Sequence, residues 1–138
     1  MTSDLIDLGP TQQLRVVSST PAELVLECTW QGGGSPPPTH WHPTQLEHFE
    51  VHEGELTVRL DGSERVVAAG SSFDVPPRVA HAMWNAGAGP CRATWRVTPA
   101  QRTLELFRTM GEGPSLVGKV AVLWRFRREF RLARPGRA

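Results

Sequence analysis

Apolar and polar residues alternate through most of the first 98 positions of the chain. In the run AELVLECTW, the residues on one face of an extended strand are Leu24, Leu26, Cys28 and Trp30. The same alternation recurs in LEHFEVH, ELTVRL and CRATWRVT, and turn-forming Gly, Pro and Asp residues separate these runs. Eight or more short strands at near-regular spacing predict a closed all-β sandwich or barrel.

The period of the pattern changes at Thr98. A hydroxyl at Thr98, a proline at position 99 and Gln101 three residues after the cap are typical of a helix start. We expect this first helix to run to about Met110, where Gly111 ends it.

A second helix is predicted from about Ser115. Its first part is apolar nearly all round, and its second part is amphipathic, with Phe126 and Phe130 on the apolar side and Arg128 and Arg131 opposite. The apolar side chains expected to be buried in the two helices are Leu104, Phe107, Val120, Leu123, Phe126 and Phe130.

These patterns predict a single domain that has two parts. A chain of 138 residues suits one domain. Residues 1–98 form the β-barrel, of which residues 1–12 are a loosely held arm or a strand exchanged with a neighbour. Residues 99–138 form helices that pack on the barrel within the same domain.

Charge is distributed unevenly, although the chain as a whole carries only +1. Residues 1–118 hold 8 basic and 13 acidic side chains, whereas residues 119–138 hold 7 basic and 1 acidic. The basic end is typical of a solvated helix face, with a dimer contact or attachment to an anionic surface as the alternatives.

The two cysteines, Cys28 and Cys91, lie in apolar runs and are too few for a disulfide framework. We expect both to be buried free thiols in a reducing compartment. The first ten residues lack the features of a signal peptide, and no apolar run is long enough to span a membrane. A cytoplasmic protein is therefore expected.

The candidate chemistry lies between Gly34 and Gly54. His40 and His42 point to the same face of an extended chain, and Glu47 follows on a strand whose inward positions are otherwise apolar. Two imidazoles and a carboxylate on one apolar face are either a costly burial of polar groups or a metal site. A fourth candidate ligand, His81, follows in the stretch GSSFDVPPRVAHAMWN.

Together the two stretches resemble the cupin family. The first family motif, G-x5-H-x-H-x4-E-x6-G, is matched by Gly34, His40, His42, Glu47 and Gly54. The second, G-x5-P-x-G-x2-H-x3-N, is matched by Gly70, Pro76, His81 and Asn85, with Arg78 in place of its middle glycine. The resemblance covers roughly residues 13–98 and implies a jelly-roll β-barrel, here with a C-terminal α-helical extension. It also implies a single-domain protein that is commonly a homodimer.

Three histidines and one carboxylate at this spacing predict a site for one divalent metal ion, held by His40, His42, Glu47 and His81. Such a donor set suits Zn, Fe, Mn, Ni or Co, and it leaves coordination positions open for a ligand. His48, His52 and Glu50 fall on the opposite strand face and are expected to point outward.

Residues on the inner wall are candidates for contact with a small-molecule ligand, with plain barrel packing as the alternative. They are Phe49, Val51, Phe73, Met83 and Trp95. Arg78 is a further candidate, because its guanidinium suits an anionic group if the turn before His81 keeps the family's path. Otherwise the loop adopts a different conformation, or Arg78 projects into solvent.

The resemblance implies a metal-dependent enzyme acting on a small oxygen-rich or aromatic molecule, of the isomerase/cyclase or dioxygenase type. The alternatives are a non-catalytic ligand-binding cupin and a sensor whose partner binds the basic helix. No helix-turn-helix pattern precedes the barrel, and we therefore expect no nucleic-acid partner.

Overall fold

A computed structural model describes residues 4–133 of the chain. In chain order, the strands are β1 (Leu5–Asp7), β2 (Gln12–Ser19), β3 (Leu24–Trp30), β4 (His40–Trp41), β5 (Leu46–Glu53), β6 (Glu55–Leu60), β7 (Ser63–Ala68), β8 (Ser72–Val75), β9 (His81–Trp84), β10 (Cys91–Thr98) and β11 (Arg131–Leu132). The helices are α1 (Thr103–Gly111) and α2 (Leu116–Arg125), and they lie between β10 and β11.

The strands form two antiparallel sheets that face each other. The first has the order β1-β2-β3-β10-β5-β8, and the second has the order β11-β4-β9-β6-β7. From β3 onward the chain alternates between the sheets, except at the β6–β7 hairpin, as in a jelly roll, and the predicted all-β class is confirmed. Over residues 4–133, the two sheets are not hydrogen-bonded into one closed barrel. Within the described residues, no helix is long and apolar enough to cross a membrane.

The predicted alternation positions the side chains between the sheets. On β5 the inward residues Glu47, Phe49 and Val51 are buried, whereas Glu50 is exposed on the opposite face. The tight connection from β5 to β6 depends on Gly54, which has a φ of 76°. A Cβ at this position would lie 2.3 Å from the carbonyl oxygen of Pro90, so only glycine fits.

An aromatic row crosses the core from sheet to helix. The ring of Phe49 stacks on Phe73 at 4.9 Å and on Trp95 at 5.0 Å between centroids, and Trp95 in turn contacts Phe107 of α1 at 5.0 Å. These contacts attach α1 to the strands that also carry Glu47. Burial of each large apolar side chain contributes about 1.5–3 kcal/mol of stability.

Both cysteines are free and buried, as predicted. Cys28 accepts a hydrogen bond from Nε2 of Gln12 at 3.3 Å. Burial, with a smaller contribution from the charge of Glu53, raises the pKa of the Cys91 thiol to about 11. These thiols are therefore protonated and unreactive at neutral pH.

The N-terminal arm pairs within its own chain. β1 lies antiparallel to β2, with Ile6 opposite Leu14 and both side chains buried. The expectation of a loosely held arm is therefore wrong from residue 4 onward, whereas exchange of this strand with a neighbouring chain stays a prediction; residues 1–3 lie outside the described residues.

The predicted start of the first helix is wrong. The helix begins at Thr103, after a turn in which Gln101 adopts a φ of 47° that no helix contains. The buried amide of Gln45 explains the turn, because its Nε2 is directed at the carbonyl oxygens of Pro99 (2.8 Å) and Ala100 (3.0 Å). It also lies 2.7 Å from Oγ1 of Thr103. A tertiary contact therefore overrides the local helix signal.

The second helix begins where predicted, with Oγ of Ser115 accepting a hydrogen bond from the backbone N–H of Gly118. It ends earlier than expected, at Arg125, so Phe130 and Arg131 lie beyond it. The expected burial of Val120 is also wrong, since 63% of this residue is exposed. The helix turns Val122 toward the core, and Leu116, Val117, Val120 and Trp124 consequently remain on its outer side.

Several basic residues of this region have local partners. Arg102 and Arg125 both pair with Glu105, and the Arg127 guanidinium lies 4.2 Å from the Trp124 ring. A surface cavity of about 380 Å³ lies among Gln101, Arg102, Arg125, Arg127, Arg128 and Glu129.

That residues 1–98 and 99–138 unfold as one unit stays a prediction.

Gln45 offers a test of that prediction, since it joins the strands to the turn before α1. We expect Gln45→Ala to destabilise the fold by about 1–3 kcal/mol, because the buried side-chain amide that connects Pro99, Ala100 and Thr103 is lost. Chemical denaturation monitored by both tryptophan fluorescence and circular dichroism measures this change. The matched control is Gln31→Ala, at an exposed position. Two separate transitions, or a loss no larger than that of the control, would contradict the single-unit account.

Candidate metal centre

Three histidines from the second sheet converge at one end of the space between the sheets. His40 lies on β4, His42 follows that strand directly, and His81 begins β9. The register pairs His40 with His81 across the two strands. The alternation of the extended chain brings His42 to the same side as His40, and the ring centroids of the three lie 4.3–5.1 Å apart.

Backbone carbonyl groups hold one nitrogen of each ring. Nδ1 of His40 lies 3.4 Å from the carbonyl oxygen of Pro38. Nδ1 of His42 lies 2.6 Å from that of Glu129, and Nδ1 of His81 lies 2.9 Å from that of Val79. A carbonyl oxygen only accepts hydrogen bonds, so each Nδ1 carries the proton and each neutral ring keeps a free lone pair on Nε2. One ligand atom from each of the three rings falls within 4.8 Å of those of the other two.

Glu47 approaches two of these rings from the first sheet. Its Oε1 lies 2.9 Å from Nε2 of His42 and 3.0 Å from Nε2 of His81. The other oxygen, Oε2, accepts a 2.7 Å hydrogen bond from Nε1 of Trp95. Glu47 is outside the group of mutually close ligand atoms that the three histidines form.

The fit of a cation to this cluster can be judged from its buried polar atoms. Nε2 of His42, Nε2 of His81 and Oε1 of Glu47 are inaccessible to solvent, and no well-directed hydrogen bond reaches them from residues 4–133. With the Nδ1 protons on the carbonyl side, three electron-pair donors face one another at close range. A metal ion shared by them would satisfy all three, and the residues therefore fit the group.

The surroundings tune the protonation of the cluster. Burial, together with the neighbouring His81 and His42, lowers the pKa of His40 to about 3. Burial also acts to raise the pKa of Glu47, but His42 and His81 outweigh it and hold this pKa well below its usual range. At His42 burial acts to lower the pKa, whereas the Glu47 carboxylate prevails and raises it. Near neutral pH, His40 is thus a neutral donor and Glu47 an anionic one.

The other polar residues of β5 are directed away from the cluster. His48 pairs with Asp74, its Nδ1 lying 2.5 Å from the carboxylate, and His52 lies 2.7 Å from Oγ1 of Thr94. Glu50 is exposed. Their outward orientation agrees with the strand alternation.

Most of the predicted inner-wall residues are core residues. Phe49, Val51, Phe73 and Trp95 are each at most 9% exposed, whereas Met83 is only partly buried. Trp95 does more than pack, because its indole N–H holds Glu47. The sequence predicts that Trp95 lies on the inner wall, but no feature of the sequence indicates its hydrogen bond to Glu47.

Arg78 keeps the backbone shape that the family's glycine would adopt. Its φ is 66°, in the left-handed region, and its N–H donates to the carbonyl oxygen of His42 at 2.8 Å. The turn therefore does not take a different conformation. The side chain is exposed and has no ion pair with any residue between 4 and 133.

The segment after α2 also reaches the cluster, and sequence reasoning missed it. The ring of Phe130 stacks on His40 with centroids 4.5 Å apart, and the carbonyl group of Glu129 holds His42. The amphipathic pattern assigned both residues to a helix, and no local feature of the sequence indicates a return to the strands.

Comparison with known proteins places this geometry in context. A family model described as a cupin domain matches residues 26–97, which is more than half of the chain. The structure of KdgF from a Halomonas species is similar, with a TM-score of 0.66, 21% identity and coverage of 73% of this chain and 90% of that one. An RmlC-like cupin from Shewanella frigidimarina gives a TM-score of 0.65 at 24% identity, covering 74% of this chain and 88% of that one.

A curated relative is similar over a shorter stretch. The oxidoreductase macE of Penicillium terrestre is 38% identical over 52 residues, which are 37% of this chain and 20% of that protein. This chain therefore matches about a fifth of the length of that relative. The two solved structures are similar in fold. With the family model spanning the strands that carry all three histidines, the chain belongs to the cupin family.

Proposed function

We propose that this cupin holds one divalent metal ion through His40, His42, His81 and Glu47 and acts on a small oxygen-rich or aromatic molecule. The reaction would be of the isomerase/cyclase or dioxygenase type. The observation that carries the proposal is the group of three buried donor atoms without hydrogen-bond partners among residues 4–133. The curated relative from Penicillium terrestre, which matches a short stretch of this chain, is named an oxidoreductase, and this supports the dioxygenase type of reaction.

The donor set limits which metal suits the site. Three imidazole nitrogens and one carboxylate oxygen suit Zn, Fe, Mn, Ni or Co, whereas they suit Ca and Mg poorly. When bound, such an ion would polarise the oxygen of a carbonyl or enolate group and, if redox-active, would also support oxidation.

The protein's own contribution is to fix the donors before a metal arrives. The backbone carbonyl groups that accept from Nδ1 set the tautomer and orientation of each ring. Trp95 holds the Glu47 carboxylate in the same way, so that Oε1 is the oxygen directed at the histidines. Partners of this kind commonly change metal affinity 10–100-fold when removed.

Ligand contact is proposed for a subset of the inner-wall residues. Met83 is the member of the predicted set that is only partly buried, and it is therefore the candidate with access to a ligand. Phe49, Val51, Phe73 and Trp95 support the site from the core. Arg78 is proposed to meet an anionic group of the ligand, because its turn keeps the left-handed conformation.

A non-catalytic binding cupin is the second candidate function. The observation that favours it is the ring of Phe130, which stacks on His40 and so blocks approach to that face of the imidazole. Incubation of the metal-loaded protein with panels of hydroxy acids, sugars and phenols separates the two. Turnover, or oxygen consumption, supports the enzyme; saturable binding without product supports the binding cupin.

Three further expectations stay predictions. The family resemblance implies a homodimer, the sequence implies a cytoplasmic protein, and no nucleic-acid partner is expected. The size of the protein in solution, measured by light scattering, tests the first of these.

The metal proposal predicts that His81→Ala loses most of the bound metal and still folds. The reason is that His81 supplies one donor, while the apolar core between the sheets is separate from it. Metal content per chain, measured by mass spectrometry after purification without added metal, reports the loss. His52→Ala is the control, because it removes an imidazole that points outward. Full occupancy in the His81 variant would refute the ligand assignment.

The Arg78 proposal predicts weaker binding of carboxylic acids in Arg78→Gly, with metal content unchanged. The loss should be about 3- to 10-fold, because an exposed guanidinium is well hydrated and contributes modestly. Isothermal titration of the metal-loaded variant with benzoate and oxalate measures it. The backbone tolerates this change, since glycine adopts a φ of 66° freely. Equal affinity in the variant and the original protein would remove Arg78 from the site.

A further inference from the structure

Residues 126–133 cross the end of the two sheets after α2 has ended. We name this segment the strap. It lies outside residues 26–97, which the family model matches. Phe126, at 0% exposure, fixes its beginning in the core.

The far end of the strap joins the second sheet as an edge strand. β11 pairs with β4, placing Leu132 opposite His40 and Arg131 opposite Trp41. The N–H of Ala133 donates to the carbonyl oxygen of Thr39 at 2.9 Å. The strap is therefore paired directly with the strand that carries the first predicted ligand.

Between these two anchors, the strap contacts the histidines. The Phe130 ring lies 4.5 Å from the His40 ring at an interplanar angle of 23°, and its edge contact with His42 is 6.0 Å between centroids. The backbone oxygen of Glu129 accepts the 2.6 Å hydrogen bond from Nδ1 of His42. One segment thus covers one ring and orients another.

We propose that the strap is a wall of the metal site. The Glu129 carbonyl group positions His42, and Phe130 shields His40, so the strap limits both metal exchange and ligand entry. Phe130 and the Glu129 backbone are positioning groups in this account. The inference rests on the proposed function, since it concerns the same metal.

The physical basis is the low-dielectric enclosure that the strap provides. His42 is 6% exposed, although it lies at the end of a short strand and before a loop. A buried ring with a fixed tautomer presents its Nε2 lone pair without reorganisation, whereas a ring that turns freely loses orientation each time the metal leaves. Detachment of β11 would free His42 and expose His40 at the same time.

Two variants loosen the strap in different ways. Phe130→Ala removes the stacked ring, whereas Phe130→Tyr keeps it. Ala133→Pro removes the N–H that donates to Thr39, whereas Ala133→Ser keeps that donor. Leu116→Ala is a further control, because it removes an apolar residue of α2 that is 81% exposed and lies outside the strap.

The experiment loads each protein with Co²⁺ and follows its removal by excess chelator, together with the visible absorption spectrum of the ion. We expect the removal rate to rise about 10-fold or more in Phe130→Ala and Ala133→Pro. The spectrum of Ala133→Pro should also shift, because His42 has lost its fixed orientation. Phe130→Tyr, Ala133→Ser and Leu116→Ala should behave as the original protein does.

The outcomes separate the two proposals. If the original protein binds Co²⁺ and both loosened variants release it at the original rate, the strap inference fails and the metal site stands. If the original protein takes up no metal, both fail. Thermal melting checks that each variant is folded, and Ala133→Pro carries the test should Phe130→Ala not fold.

Discussion

A carboxylate buried between two sheets is the constraint on which the rest of this structure depends. Glu47 is 1% exposed and ionised, and an isolated charge in such a place would be strongly destabilising. The fold supplies one indole N–H to this carboxylate, and two imidazoles approach its other oxygen. Because those imidazoles direct lone pairs at the carboxylate when their Nδ1 protons are on carbonyl groups, a further positive charge completes the arrangement. A metal ion would supply that charge directly.

The architecture around Glu47 follows from this requirement. The carboxylate comes from the first sheet and the histidines from the second, so the site exists only when the sheets face each other in one register. The aromatic row of Phe73, Phe49, Trp95 and Phe107 packs the first-sheet strands β8, β5 and β10 against one another and links them to α1. Trp95 belongs to both systems, since its ring packs in the row and its N–H holds the carboxylate. Packing and electrostatics are thus coupled at one residue.

The parts of the molecule that sequence predicts are those with a local cause. The two-residue period of a strand places His40 and His42 on one face and Glu47 on the inward face. Glycine residues mark turns, as at Gly54, where no Cβ fits. The start of α1 was predicted wrongly because Gln45, more than fifty residues away, takes the carbonyl groups that a helix from Thr98 would use. The strap was missed for the same reason: its pairing with β4 joins segments far apart in the chain. Val120 shows a third limit, since an apolar helix face does not reveal which of its sides meets the core.

The central claim is that a metal ion occupies the point where the Glu47 carboxylate meets the three imidazoles. Anomalous-difference density from crystals of the protein purified without added metal, recorded on either side of the absorption edge found by a fluorescence scan, tests it most directly. The account predicts one strong peak per chain, bounded by Nε2 of His40, His42 and His81 and by Oε1 of Glu47. A map with no peak there, even after crystals are soaked in Zn²⁺ and Co²⁺, and with Glu47 hydrogen-bonded to protonated His42 and His81, would contradict it.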